Sequence, residues 1–506
     1  MLALAMSRAI ATGAHELHVR AVDCPGITDE DYCTEAGPCA ITSITVSSLA
    51  WLCVDDGDML TRPAWAATLA VATLASIILS RINMAAKPAP QNGRPPAGLL
   101  GEDLDDYVPA GLRLLQAHLF VRHGERTPVR RRMQNVGMPD DWILCHLAGQ
   151  FDAAVANSQG TLTSFPMVVK AQRQDQVNSP RVAPEGACHS GQPTDLGRSS
   201  LLSVGEQLRA TYIDRLGFLP SMMTAKDEGV VTFRTTPIQR TIESLQQTIQ
   251  GLYPRQQMDG WKPTIMIRDI HEESLWPNPS ACKRLYRLDK EAQQLAKVEH
   301  EEALAGLDDK IARFFPNPIR VDSHPRANGI LDTINAARSH GMHVPEPFLD
   351  PVVLRTLERA VLAEFFNGYR SPEFKRLAMG RLTGDMLESF KRKAAQPTSE
   401  KLRLALHSCH DTTLGGLTRT FGVEEEAWPP FSSHVGFELF ETPSTQGSLS
   451  FFSTFFRSQS RSDHFVRMRY NGKTMKIPAC QAQGQHLQGS SGEVSLCLSK
   501  ETAWST

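Results

Sequence analysis

Short apolar runs alternate with amphipathic stretches along most of this chain. Leu114–Val121 (LLQAHLFV) and Val230–Phe233 (VVTF) are compact apolar runs, and Leu402–Leu406 (LRLAL) places leucine at alternate positions. Their length and alternation predict buried strands. Leu196–Leu216 and Ile238–Leu252 instead repeat apolar residues at about 3.6-residue spacing, which predicts helices. Strands separated by helices predict a parallel α/β sheet. Residues 269–394 differ: they are charge-rich, helix-prone and broken by Pro316, Pro318, Pro345, Pro347 and Pro351. The expected architecture is therefore α/β. A doubly wound, mainly parallel sheet flanked by helices (105–268 and 395–506) carries a mostly helical cap insertion (269–394).

The first 60 residues show no clear period. Within 61–104, an uncharged Ala/Leu/Ile/Val run, Ala64–Ser80, lies between Arg62 and Arg81, and a Pro/Gly-rich linker, Lys87–Ala97, follows. The run is short for a membrane span. It reads as a single membrane anchor, as a cleaved targeting segment beginning at Met59, or as a buried helix. The first two place the protein at a membrane or in a secretory or organellar compartment.

Composition narrows the function. The chain has 506 residues, 41 % of them apolar, and a formal net charge of −2. It lacks the basic excess of a nucleic-acid binder. No P-loop, no Gly-x-Gly-x-x-Gly run, no His-Glu-x-x-His helix and no Cys-x-x-Cys pair occurs. Of ten cysteines, Cys24, Cys33, Cys39 and Cys53 fall near the start, and Cys145, Cys188, Cys282, Cys409, Cys480 and Cys497 in the body. These last six admit either free thiols or disulfides, and spacing does not rank the pairings. No Asn-x-Ser/Thr glycosylation acceptor occurs; Asn278-Pro279-Ser280 is excluded by its proline.

Each predicted strand runs into reactive side chains. The first meets Arg122-His123-Gly124-Glu125-Arg126-Thr127-Pro128. The second meets Arg234-Thr235-Thr236, with Arg240 six residues on. The third meets His407-Ser408-Cys409-His410-Asp411. Ligands of open parallel sheets bind beyond the carboxyl ends of the strands, so three such ends predict one shared pocket. Arginine forks suit phosphate oxygens and the charge of a phosphoryl transition state. A neutral imidazole can attack phosphorus, and a carboxylic acid can protonate the leaving oxygen. Gly124 is expected to let the backbone approach the anion, and Arg130-Arg131-Arg132 either to guide anions or to form a solvated loop. His118, His407, His434 and Glu438 are expected to be structural.

Arg122–Pro128 resembles the Arg-His-Gly-x-Arg-x-Pro signature of the histidine acid phosphatases, and His410-Asp411 resembles their later His-Asp motif. Thr194–Leu208, Phe233–Pro254, Leu275–Cys282, Trp428–Phe440 and Val466–Cys480 also resemble that family, with some likeness to its lysophosphatidic-acid-phosphatase-like subgroup. The resemblance implies hydrolysis of phosphate monoesters in two steps, without metal or cofactor. It implies His123 as nucleophile, Asp411 as general acid, and Arg122, Arg126, Arg234 and His410 as phosphate ligands. Arg234 is preferred over Arg240 because it sits at a strand end. The implied substrate is a phosphorylated small molecule or lipid. A phosphotransferase or mutase, or an inactive membrane-anchored relative, is the alternative.

Overall fold

The structure, a computed structural model, describes residues 107–174, 180–423, 426–442, 463–481, 485–487 and 496–498, and the backbone of the antiparallel pair His18–Ala21 and Ile41–Thr45. Ala64–Ser80 lies outside the described residues. Among those residues, no helix is long and apolar enough to cross a membrane.

One central sheet organises the molecule. Its strands are β1 (Arg113–Arg122), β2 (Val231–Thr235), β3 (Ile265–Ile267), β4 (Leu404–Cys409), β5 (His434–Glu441), β6 (His464–Tyr470), β7 (Lys473–Thr474) and β8 (Leu496–Leu498). The order is β3-β2-β4-β1-β5-β6-β7, with β8 also paired to β6. β3, β2, β4 and β1 run parallel, as the strand–helix alternation predicts; β5 to β8 extend the sheet antiparallel. All three strands predicted from apolar runs belong to the parallel half.

Helices cover both faces, which makes the fold doubly wound. On one face, α1 (Asp195–Leu208) and α2 (Gln239–Leu252) bury Leu201, Val204, Leu208, Leu245, Ile249 and Leu252 against Ala117, Leu119, Val121, Phe233 and Leu406. The Thr194 hydroxyl caps α1 by accepting from the Gly197 amide. The helical pattern predicted to Leu216 continues past Leu208 as the wider coil Arg209–Arg215.

Four long helices lie between β3 and β4, with a single turn of helix, Asp308–Ile311, between the first two: α3 (Lys283–Ala305), α4 (Ala327–Ser339), α5 (Pro351–Phe366) and α6 (Pro372–Ala395). Two prolines in this stretch open helices: Pro351 follows the Asp350 N-cap, and Pro372 follows the Ser371 N-cap. α4 and α5 share an apolar cluster with Met133, Met138 and Trp142, which joins them to the chain just beyond the Arg-His-Gly signature. α6 lies on the second face of the sheet. There Ser389 donates to the Gln116 side chain at 3.1 Å, and Phe390 meets the His118 ring edge-on. A cap drawn as 269–394 thus includes one helix that covers the sheet. α7 (Asp411–Thr420) completes this face with Leu414 and Leu417.

Among the described residues, two disulfides form. Cys145 pairs with Cys188 and Cys480 with Cys497, while Cys282 and Cys409 are free.

Candidate active site

The strand order brings the predicted clusters together. In the parallel register Arg122 lies beside Cys409, and Ser408 beside Thr235. The chain leaves β1 at His123 and β4 at His410 side by side, and the His123 amide donates to the Cys409 carbonyl at 3.0 Å. The two imidazoles stand 5.6 Å apart, ring centre to ring centre.

His123 is buried, and its Nδ1 lies 2.9 Å from the Gly124 carbonyl. A carbonyl only accepts, so Nδ1 carries the proton and Nε2 keeps its lone pair. Burial, reinforced by the positive charge of Arg122 and Arg126, holds the imidazole well below its ordinary pKa. It stays neutral in mild acid.

The signature turn is wedged against the start of α1. A Cβ on Gly124 would meet the Gly197 carbonyl at 2.3 Å, and a Cβ on Gly197 would meet the Glu125 carbonyl at 2.1 Å. The two glycines let loop and helix touch backbone to backbone. The Gly124 amide donates to Ser244 of α2 at 3.1 Å. The need for glycine here comes from packing against a helix, whereas the sequence suggested approach to an anion.

Asp411 opens α7 and has three partners. Its Oδ2 lies 2.6 Å from Arg122 Nη2 and accepts from the Trp428 indole N–H at 3.2 Å; its Oδ1 accepts from the Thr412 amide at 2.8 Å. Burial alone would push this carboxyl up. Arg122, Arg126, His410 and Arg240 outweigh it and hold it below its ordinary value. Trp428 is itself fixed by Phe365 and Phe366 of α5 and by its amide, which donates to Glu358 at 2.9 Å.

The arginines divide differently from the expectation. Arg122 donates to the Pro429 carbonyl, pairs with Asp411 and lies 4.2 Å over the Phe431 ring. Arg126 reaches into the same site. Arg234 does not: it forms a buried pair with Glu273 and donates to Ser274 at 3.2 Å. Its register partner is His407, which stacks on Phe120 on the face covered by α6 and α7, so the pleat turns Arg234 away from the site. Arg240, to which Arg234 was preferred, takes the place sought for Arg234. It lies in the first turn of α2, and its Nη2 donates to His410 Nδ1 at 3.2 Å. His410 Nε2 lies 3.0 Å from the Thr236 hydroxyl. Burial, then Arg240 and His123, hold His410 well below its ordinary pKa. Both its nitrogens are engaged by protein groups, so in this arrangement His410 fixes Arg240.

Sequence reasoning also missed Asp332 of α4. This carboxylate meets Arg126 at 3.1 and 3.4 Å and accepts from the Val129 amide at 3.3 Å. Nothing in the local sequence marks it; it lies 206 positions from its partner. Arg240 had a faint signal, since Arg-Thr at a helix start can point a guanidinium back over the end of the sheet.

Residues 113–471 match the family model described as the histidine phosphatase superfamily, branch 2. The chain belongs to this superfamily. This branch 2 histidine phosphatase is 33 % identical to a probable acid phosphatase of Schizosaccharomyces pombe, over 75 % of this chain and 89 % of that protein. It is 24 % identical to the human lysophosphatidic acid phosphatase type 6, over 73 % of this chain and 80 % of that one. Among solved structures, the apo phytase of Hafnia alvei aligns with a TM-score of 0.48 and 13 % identity, covering 79 % of this chain and 96 % of that one.

Proposed function

We propose that the protein is an acid phosphatase that hydrolyses phosphate monoesters through a phosphohistidine at His123. The observation that carries this reading is the placement of a neutral imidazole, with Nε2 unprotonated, beside Asp411, the buried Arg122 and Arg126, and the half-buried Arg240. Arg122, Arg126 and Arg240 bind the phosphoryl oxygens and stabilise charge in the transition state, with His410 holding Arg240. His123 Nε2 attacks phosphorus; the P–N bond forms, the ester P–O bond breaks, and the departing oxygen takes the proton of Asp411. Water then attacks phosphorus, the P–N bond breaks, and the Asp411 carboxylate takes a proton from that water. Trp428 orients Asp411 through both steps.

Family membership and the probable acid phosphatase relative support the hydrolase class. The lysophosphatidic acid phosphatase relative makes a lipid monophosphate a natural first substrate to try. Paired cysteines favour an oxidising compartment, which suits Ala64–Ser80 as an anchoring or targeting segment.

The test is release of phosphate from an aryl phosphate in the presence of chelator, together with rapid alkaline-quench labelling. Wild-type protein should trap a base-stable, acid-labile phosphoenzyme, and His123→Ala should trap none. Unlabelled wild-type protein that still turns over would exclude the covalent route.

A further inference from the structure

The cap supplies a carboxylate to a site otherwise built for an anion. Asp332 projects from α4 and engages both terminal nitrogens of Arg126, at 3.1 and 3.4 Å. It is only partly exposed, whereas Arg126 is buried. Its charge is also felt by Arg122 and Arg240. The pocket thus sets three guanidiniums against two carboxylates, Asp411 and Asp332, with its histidines neutral.

This balance bears on the substrate. One phosphate monoester brings one or two negative charges, which three arginines accommodate even with Asp332 in place. A substrate with further phosphates close to the first adds charges that must lie near a fixed carboxylate of the same sign. Partly buried charges are weakly screened, so this repulsion is appreciable. Asp332 also competes with substrate oxygens for Arg126, which weakens binding of any phosphate, but it rejects clustered phosphates more strongly. Specificity of this kind works by placing an unfavourable charge against the wrong ligand.

We infer that Asp332 is a specificity-determining residue that restricts this pocket to singly phosphorylated esters. The inference rests on the hydrolase reading for its substrate class, but its test does not require turnover. The full chain and its Asp332→Asn and Asp332→Glu variants would be titrated calorimetrically, at low ionic strength, with inorganic orthophosphate and with inositol hexakisphosphate. Asp332→Asn should tighten orthophosphate a few-fold and the hexakisphosphate by roughly tenfold more than that. Added salt should shrink the difference, and Asp332→Glu should keep the wild-type ratio. Equal changes for both ligands, no change, or weakened binding of both with a lowered melting temperature would each overturn the inference. In parallel, wild-type protein would be assayed on an aryl phosphate: failure there sinks the hydrolase reading, while the binding ratio still decides the role of Asp332.

Discussion

The guanidinium of Arg240 donates to His410 Nδ1 at 3.2 Å, while Arg234, one strand-end away, is locked to Glu273. Two arginines six positions apart thus do different work. Arg240→Ala should lower kcat/KM by about 10²- to 10³-fold with little change in stability. Arg234→Ala leaves the buried Glu273 unpaired, so it should cost about 3–5 kcal/mol of stability. Its remaining folded fraction should retain the wild-type phosphate affinity. Steady-state kinetics and denaturant melts of both variants separate the two roles.

Asp411 should set the alkaline limb of activity. Its arginines favour the anion, and the anion cannot donate a proton, so kcat/KM should fall as pH rises through the carboxylate range. His123, held neutral, keeps its lone pair on the acid side. Asp411→Asn should slow esters of poor leaving groups by about 10³-fold or more, and p-nitrophenyl phosphate far less. Trp428→Phe removes a hydrogen bond to the charged carboxylate and should move the alkaline limb upward. Rates against leaving-group pKa, and pH profiles of each variant, test both statements.

Gly197→Ala probes the wedge between α1 and the signature turn. The added methyl would sit 2.1 Å from the Glu125 carbonyl, so the turn must shift. Activity should drop by about 10²-fold while helix content stays the same, because the displaced group is the nucleophile's own loop. Circular dichroism beside phosphate release distinguishes this outcome from global unfolding.

Buried neutral histidines should make the fold sensitive to acid. Burial lowers His118 to about 3, with a further push from Arg392; burial lowers His434 to about 3, with help from Arg469. The unfolded chain takes up these protons near pH 6.5, whereas the folded chain does not until near pH 3. The unfolded state then binds more protons, so stability should fall steadily as pH drops through that window and be unaffected above it. His118→Leu should flatten the pH dependence of Tm between pH 6.5 and 4, a change that thermal melts would resolve.

The cross-link Cys145–Cys188 closes a 43-residue separation. By loop-closure entropy its loss costs about 4 kcal/mol. Cys145→Ser with Cys188→Ser should lower Tm and expose the intervening segment, including the hairpin Gln150–Ala156 and Leu162–Val168, to proteases.

Much of this protein was legible in its sequence. The runs at Leu114, Val230 and Leu402 encode buried strands because apolar, strand-length segments have few other ways to hide from water. The clusters after them encode chemistry because Arg-His-Gly and His-Asp carry the donors, nucleophile and acid within a few residues. Sequence alone therefore determined the α/β core, the family resemblance, and His123, Asp411, Arg122 and Arg126 as the candidates. Tertiary structure decided what depends on facing. The pleat sends Arg234 to the far side with His407, and the first turn of α2 brings Arg240 back over the strand ends. The sheet order β2-β4-β1, which no local pattern records, makes neighbours of His123 and His410. Asp332 arrives from 206 residues away, and Cys145 finds Cys188 across 43, because such meetings are fixed by packing of whole elements. Local periodicity tells each segment which side to bury; only the assembled layers tell a side chain whom it meets.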